Sequence, residues 1–241
     1  DNNVINDWRE IITGKYHILS IPEAHKLIAY YVVADTAKDV LKVCRCYQYE
    51  EIRTIVSRTA KQKWGDHDQL GGYVWCTTGG GKTMTTFKAG QLIIDMNLAD
   101  KVVFLVDRKT LDEQSGLAYD SFQRVGEHVA TTDSTENLFS KLKSNEYDER
   151  LIITSIQKIS RITSDGLKER RATELKEIQN KRIVFIVDEA HRSQFGEMHQ
   201  QVKETFYFSL FFGFTGTPIF NENMREGEMT TESVFGPCLA I

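Results

Sequence analysis

The chain has 241 residues, 41% of them hydrophobic and 27% charged, enough for one large α/β domain with an appendage or for two small domains. No run of about 18 apolar residues occurs, which excludes a membrane-spanning helix, and the start Asp1-Asn2-Asn3 lacks the basic and apolar regions of a signal peptide. The net charge of −4 offers no general attraction to nucleic acid and weighs mildly against DNA as a partner.

Four cysteines stand at 44, 46, 76 and 238, and the C-x-C pair has no histidine cluster beside it to complete a zinc site. They read as reduced thiols of a cytoplasmic protein. The chain has no initiator Met and is expected to be a piece of a longer protein.

In chain order, residues 1–43 read as a helical lead-in. Ser20 is placed to cap a short helix with Pro22 in its first turn, running into the apolar stretch from Ala24 to Ala34. The second domain, 44–241, alternates short apolar runs with helical stretches, which predicts βαβ units: an α/β fold with a parallel sheet sandwiched by helices. Strands are predicted at Gly72–Cys76, Lys101–Val106, Leu151–Thr154, Ile183–Val187 and Leu210–Phe214; most lack the polar alternation of a half-exposed strand, so they read as buried on both faces. Helices are predicted at Thr83–Met96, Thr110–Phe122, Glu136–Leu142, Glu169–Gln179 and Glu197–Phe206. The charges of Lys168–Arg182 fit a solvated helix, and Phe206, Tyr207, Phe208, Phe211, Phe212 and Phe214 fit a core better than a base-stacking platform.

Between the first strand and its helix lies Cys76-Thr77-Thr78-Gly79-Gly80-Gly81-Lys82-Thr83. It matches the phosphate loop G-x-x-x-x-G-K-[ST] except that Cys76 holds the first glycine position. Thr78, Gly79, Gly80 and Gly81 would fold the backbone so that its N–H groups face phosphate oxygens, and the helix N-terminus would add positive potential. Lys82 would reach the β- and γ-phosphates of ATP, and the Thr83 hydroxyl would ligate Mg²⁺.

The strand Ile183–Val187 runs into Asp188-Glu189-Ala190-His191. A carboxylate at a strand tip can hold the Mg²⁺ shell, and a second can take a proton from water. Asp188 is expected as the metal-side residue and Glu189 as the general base.

These motifs resemble superfamily-two helicases and translocases. Asp188–His191 is the DEAH motif, and Thr215-Gly216-Thr217-Pro218 resembles motif III, which in that superfamily couples nucleotide state to domain movement. The resemblance implies a RecA-like fold, a catalytic link from His191 to motif III, and a place for Thr215 at the nucleotide. Tyr47-Gln48, with 34 residues separating Gln48 from Lys82, resembles the adenine-reading glutamine motif. Val103–Arg108 and Thr154–Lys158 resemble backbone-contacting motifs, implying DNA contacts at Arg108, Thr154, Ser155 and Gln157. Ser155 and Gln157 also suit a simple helix cap, and an exposed helical side chain would explain Gln48 equally well. In RecA-like folds a strand lies between those feeding the phosphate loop and the acidic motif, so Leu210–Phe214 is expected to pair with both.

More narrowly, Gly71–Trp75, Val106–Lys109, Asp188–Gly196 and Gly213–Phe220 resemble the motor subunit of type I restriction-modification enzymes, although that family usually has His at the position of Cys76 and Ser at that of Gly80. This resemblance covers about Tyr47 to Gly236. It implies ATP-driven translocation along double-stranded DNA, working with methyltransferase and specificity subunits and a second motor domain that supplies an arginine finger. An unwinding helicase domain and a catalytically silent ATP-binding assembly module remain as alternatives.

Overall fold

The computed structural model describes residues 9, 13, 20–66, 70–77, 79–106, 121–122, 130–163, 172–188, 190, 194–225 and 229–240, the backbone alone at 194–198. Helix α1 (Ile21–Tyr30) precedes a hairpin of β1 (Val32–Asp35) and β2 (Val40–Val43), then α2 (Cys46–Ala60). The main body contains β3 (Gly72–Trp75), α3 (Lys82–Asp95), β4 (Lys101–Val106), β5 (Ala130–Thr131), α4 (Thr135–Lys143) and β6 (Leu151–Ser155). It continues with α5 (Ile156–Ile162), α6 (Ala172–Gln179), β7 (Ile183–Asp188), α7 (Gln194–Thr205), β8 (Ser209–Thr215), α8 (Thr231–Phe235) and β9 (Cys238–Ala240).

Seven described strands form one sheet in the order β5-β6-β4-β7-β8-β3-β9, and every pairing described between them is parallel. The strand β8 lies between β7 and β3, as expected from the sequence: Val74 is opposite Phe214, and Ile186 is opposite Phe212. The sheet is covered on both faces, which explains why its central strands are almost continuously apolar. Alternate side chains divide between two cores. Val102, Phe104, Val184, Ile186, Phe212 and Phe214 meet α2 and α3 through Ile52, Ile55, Phe87 and Leu92. Val103, Leu105, Phe185, Val187 and Phe211 meet Leu138, Ile159, Ile178 and Val202 from α4, α5, α6 and α7. Each buried Leu, Ile or Phe side chain contributes about 1.5–3 kcal/mol of transfer free energy, so these cores fix the strand tips that carry the site.

Several expectations hold locally. Ser20 caps α1, accepting from Glu23 N at 3.5 Å, with Pro22 in the first turn. In α6 only Leu175 and Ile178 are buried. Of the aromatic set, Phe206, Phe211, Phe212 and Phe214 are buried while Tyr207 is exposed. The predicted helix Thr110–Phe122 lies almost wholly outside the described residues.

The lead-in is not helical throughout. Residues 32–43 turn back as the β1–β2 hairpin, with Asp39 at φ 52° in the turn and Lys42 Nζ paired to Asp35 at 2.5 Å. Four apolar-leaning residues per strand are too few to show a period of two, which hides such a hairpin behind the preceding helix. The short strands β5 and β9 are likewise not foreseen from the sequence. No helix among the described residues is long and apolar enough to cross a membrane.

Candidate active site

The site forms at the carboxyl edge of the sheet, where β3, β7 and β8 end side by side. From β3 the chain enters the glycine loop and then α3, whose N-cap is Gly81. Gly79 and Gly81 adopt φ values of 83° and 81°, left-handed conformations that favour glycine. A Cβ on Gly81 would also lie 2.5 Å from Gln48 Nε2. Gly80 N donates to Thr77 O at 3.1 Å, closing the turn. Thr78 lies outside the described residues.

The loop is held from α2. Tyr47 Oη and Gln48 Nε2 both donate to Gly80 O, at 2.9 and 3.1 Å. Gln48 Oε1 accepts from Arg45 N at 2.9 Å, so one amide caps its own helix and holds the loop together. Gln48 is therefore not an exposed helical residue; it is 3% exposed. One turn further, burial pushes the Glu51 carboxyl up to about 7, with a hydrogen bond from Thr85 of α3 acting in the opposite direction.

Lys82 is the first residue of α3, and its Nζ lies 3.9 Å from Asp188 Oδ1 at the tip of β7. Thr83 follows at the second helical position, partly exposed. The Lys82 ammonium and the Asp188 carboxylate thus share one edge, with Thr83 next to Lys82 in the helix. Glu189 and His191 lie outside the described residues. A cavity of about 290 Å³ opens beside the loop, lined by Gln48, Tyr47, Arg45, Val43, Met84 and the glycines. The hairpin and Arg45 were not foreseen as part of this wall. Arg45 three residues before Gln48 was the available signal, through the capping pattern.

Thr215, expected at the nucleotide, lies at the tip of β8 beside the loop. It is 0% exposed and its Oγ1 accepts from Thr217 N at 3.1 Å. Its carbonyl accepts from Cys76 N at 3.0 Å, so motif III is tied to the first residue of the loop through the backbone. Trp75 Nε1 adds a bond to Gly216 O at 3.2 Å. Cys76 belongs to the core, which absorbs the departure from the loop template without placing the thiol among the phosphate-facing groups.

Two of the residues expected at DNA lie inside the domain. Thr154 is 0% exposed and its hydroxyl pairs with Thr132 Oγ1 at 2.9 Å. Ser155 is buried and caps α5, accepting from Lys158 N at 3.4 Å. Both belong to β6, which is buried along its whole length. Gln157 is half-buried in the first turn of α5, its Oε1 without a hydrogen-bond partner among the described residues. Arg108 lies outside them.

A glycine loop between strand and helix, faced by a carboxylate on a strand two places along the sheet, defines a RecA-like, P-loop ATPase-class domain. The model of the SWI2/SNF2 ATPase family matches residues 47–241. The chain is 35% identical over 237 residues to the type I restriction enzyme SsaAORF53P endonuclease subunit of Staphylococcus saprophyticus, a match that takes in 98% of this chain and spans only 23% of that relative's length. It is 34% identical over 210 residues to the C-terminal part of the endonuclease subunit of the putative type I restriction enzyme MpnIIP from Mycoplasma pneumoniae, over 86% of this chain and 97% of that one. In fold it resembles a nuclease-deletion mutant of the type ISP restriction-modification enzyme LlaGI solved with a DNA substrate mimic, at TM-score 0.58 and 18% identity, over 83% of this chain and 20% of that one. The chain belongs to the SWI2/SNF2 ATPase family, among the endonuclease subunits of type I restriction enzymes, and is an ATPase, helicase-like motor domain.

Proposed function

We propose that this domain binds ATP·Mg²⁺ and is the first motor domain of a subunit that translocates along double-stranded DNA in a type I restriction enzyme. The observation that carries this reading is Lys82 Nζ standing 3.9 Å from Asp188 Oδ1 at the end of a glycine loop with left-handed Gly79 and Gly81. The donor set fits the metal. Mg²⁺ usually keeps several waters and takes one or two protein oxygens, here Asp188 and Thr83, and when bound it would neutralise charge on the phosphates.

The chain's own groups then divide the work. The backbone N–H groups of the loop other than that of Gly80, which closes the turn on Thr77 O, bind phosphate oxygens, and Lys82 holds the β- and γ-phosphates. Gln48 retains one amide hydrogen and one lone pair beyond its bonds to Gly80 and Arg45, enough to read the adenine edge without releasing Gly80. Glu189 accepts the proton of the attacking water, and His191 connects it to Thr215–Pro218, which the Thr215 carbonyl already ties to Cys76. Arg108 and Gln157 contact the DNA backbone, while Thr154 and Ser155 brace that segment from within. Methyltransferase and specificity subunits and a second motor domain complete the cytoplasmic machine.

The test uses the assembled full-length enzyme in a triplex-displacement assay along duplex DNA. ATP-dependent displacement that disappears in Lys82→Ala, without separation of the strands, is expected. Strand separation would replace translocation with unwinding, and displacement unaffected by Lys82→Ala would overturn the site assignment.

A further inference from the structure

The amino ends of β4, β6 and β7 enclose a second cleft of about 410 Å³, at the sheet edge opposite the glycine loop. Its lining includes Lys101, Lys181 and Arg150 against one carboxylate, Asp100. That carboxylate is already engaged: Arg182 donates to it through its backbone N and its Nη2, both at 2.8 Å. Burial works against the ionised Asp100, but the bonds from Arg182 outweigh it and hold the carboxyl below its usual range.

Lys101 is 1% exposed, yet its Nζ donates only to carbonyls among the described residues, Lys141 O at 2.7 Å and Glu149 O at 2.6 Å. Burial, then the charge of Lys181, push its pKa down to about 7, and the nearby carboxylates of Glu149 and Asp100 offset this only in part. The protonated amine is therefore costly here, and a bound anion would favour it and relieve that cost. The donor count points the same way. Lys181 uses three N–H groups on Lys143 O, Ser144 O and Asn145 Oδ1. Arg150 uses Nε and Nη2 on Asp100 O, Ala99 O and Asn97 Oδ1. Among the described residues, the third N–H that Lys101 carries when protonated and both of Arg150 Nη1 have no protein acceptor.

We propose that this cleft is a second anion site, separate from the ATP site, which takes a compact inorganic phosphate-type oxyanion between Lys101 and Arg150 with Lys181 adding charge. Nothing in the ATPase reading requires it, so the two stand or fall separately. The test is calorimetric titration of inorganic pyrophosphate into the full chain carrying Lys82→Ala, which disables the glycine loop. Binding is expected to survive in that background and to weaken at least tenfold on adding Arg150→Gln or Lys101→Met, since each removes a charge-assisted bond. Circular dichroism separates lost binding from lost folding, and Arg150→Gln covers the case in which Lys101→Met does not fold. Binding abolished by Lys82→Ala alone, or indifferent to Arg150→Gln in that background, would overturn the proposal.

Discussion

Replacing Gln48 by Ala tests whether one buried amide serves both the helix and the glycine loop. The substitution removes two bonds, from Arg45 N at 2.9 Å and to Gly80 O at 3.1 Å, and leaves Arg45 N without its cap. At about 1 kcal/mol for each net hydrogen bond, stability should fall by about 2 kcal/mol. For a domain of this size that corresponds to a melting temperature lower by roughly 4–8 °C. Gly80 O keeps Tyr47 as a partner at 2.9 Å, so the loop should loosen without unfolding. Gln48→Glu divides the two effects: its carboxylate still accepts from Arg45 N but cannot donate to Gly80 O. Thermal melts and fluorescent-nucleotide titrations of the three proteins provide the readout. The expected pattern is a melting temperature for Gln48→Glu between wild type and Gln48→Ala, with ATP affinity reduced in both variants. Wild-type affinity and melting temperature in Gln48→Ala would refute the dual role.

Gly81→Ala should lower nucleotide affinity at least tenfold in the same titration, because φ 81° costs an L-residue about 1–2 kcal/mol and its Cβ would sit 2.5 Å from Gln48 Nε2. Gly80→Ala, whose nearest neighbour would be Thr77 O at 3.1 Å, should be milder. In the full-length enzyme, Glu189→Gln should bind ATP normally and turn it over very slowly, whereas Asp188→Asn should also weaken Mg²⁺-dependent binding; single-turnover kinetics separate the two. Burial raises Glu51 from 4.5 to about 7, so the folded state holds a proton that the unfolded state releases, and stability is lost as pH rises from 4.5 through 7. Urea melts should show Glu51→Gln gaining about 1–2 kcal/mol on wild type between pH 5 and pH 8, after allowance for solvent screening; an unchanged difference would mean that Glu51 does not titrate there.

The sheet was legible because its central strands are buried on both faces: Ile183-Val184-Phe185-Ile186-Val187 leaves few other readings. The site's acidic strand and glycine loop were legible because phosphate chemistry restricts which residues can stand there. What sequence could not supply was orientation. Thr154 and Ser155 resemble a DNA-contact motif, but both lie within the completely buried strand β6, and Thr154 Oγ1 accepts from Thr132 Oγ1. Thr215 sits beside the loop as expected but contributes its carbonyl to the loop, with its hydroxyl turned to Thr217. The hairpin β1–β2 is hidden because four-residue strands carry too little periodicity, and with it goes one wall of the cavity beside Gln48.

The central claim is that this domain binds Mg²⁺·ATP between Lys82, Thr83 and Asp188, and equilibrium titration of the chain with fluorescent ATP, with and without Mg²⁺, tests it most directly. Saturable binding of one nucleotide per chain, strengthened by Mg²⁺ and lost in Lys82→Ala, is the predicted result. Equal binding by wild type and Lys82→Ala, or no dependence on Mg²⁺, would contradict it.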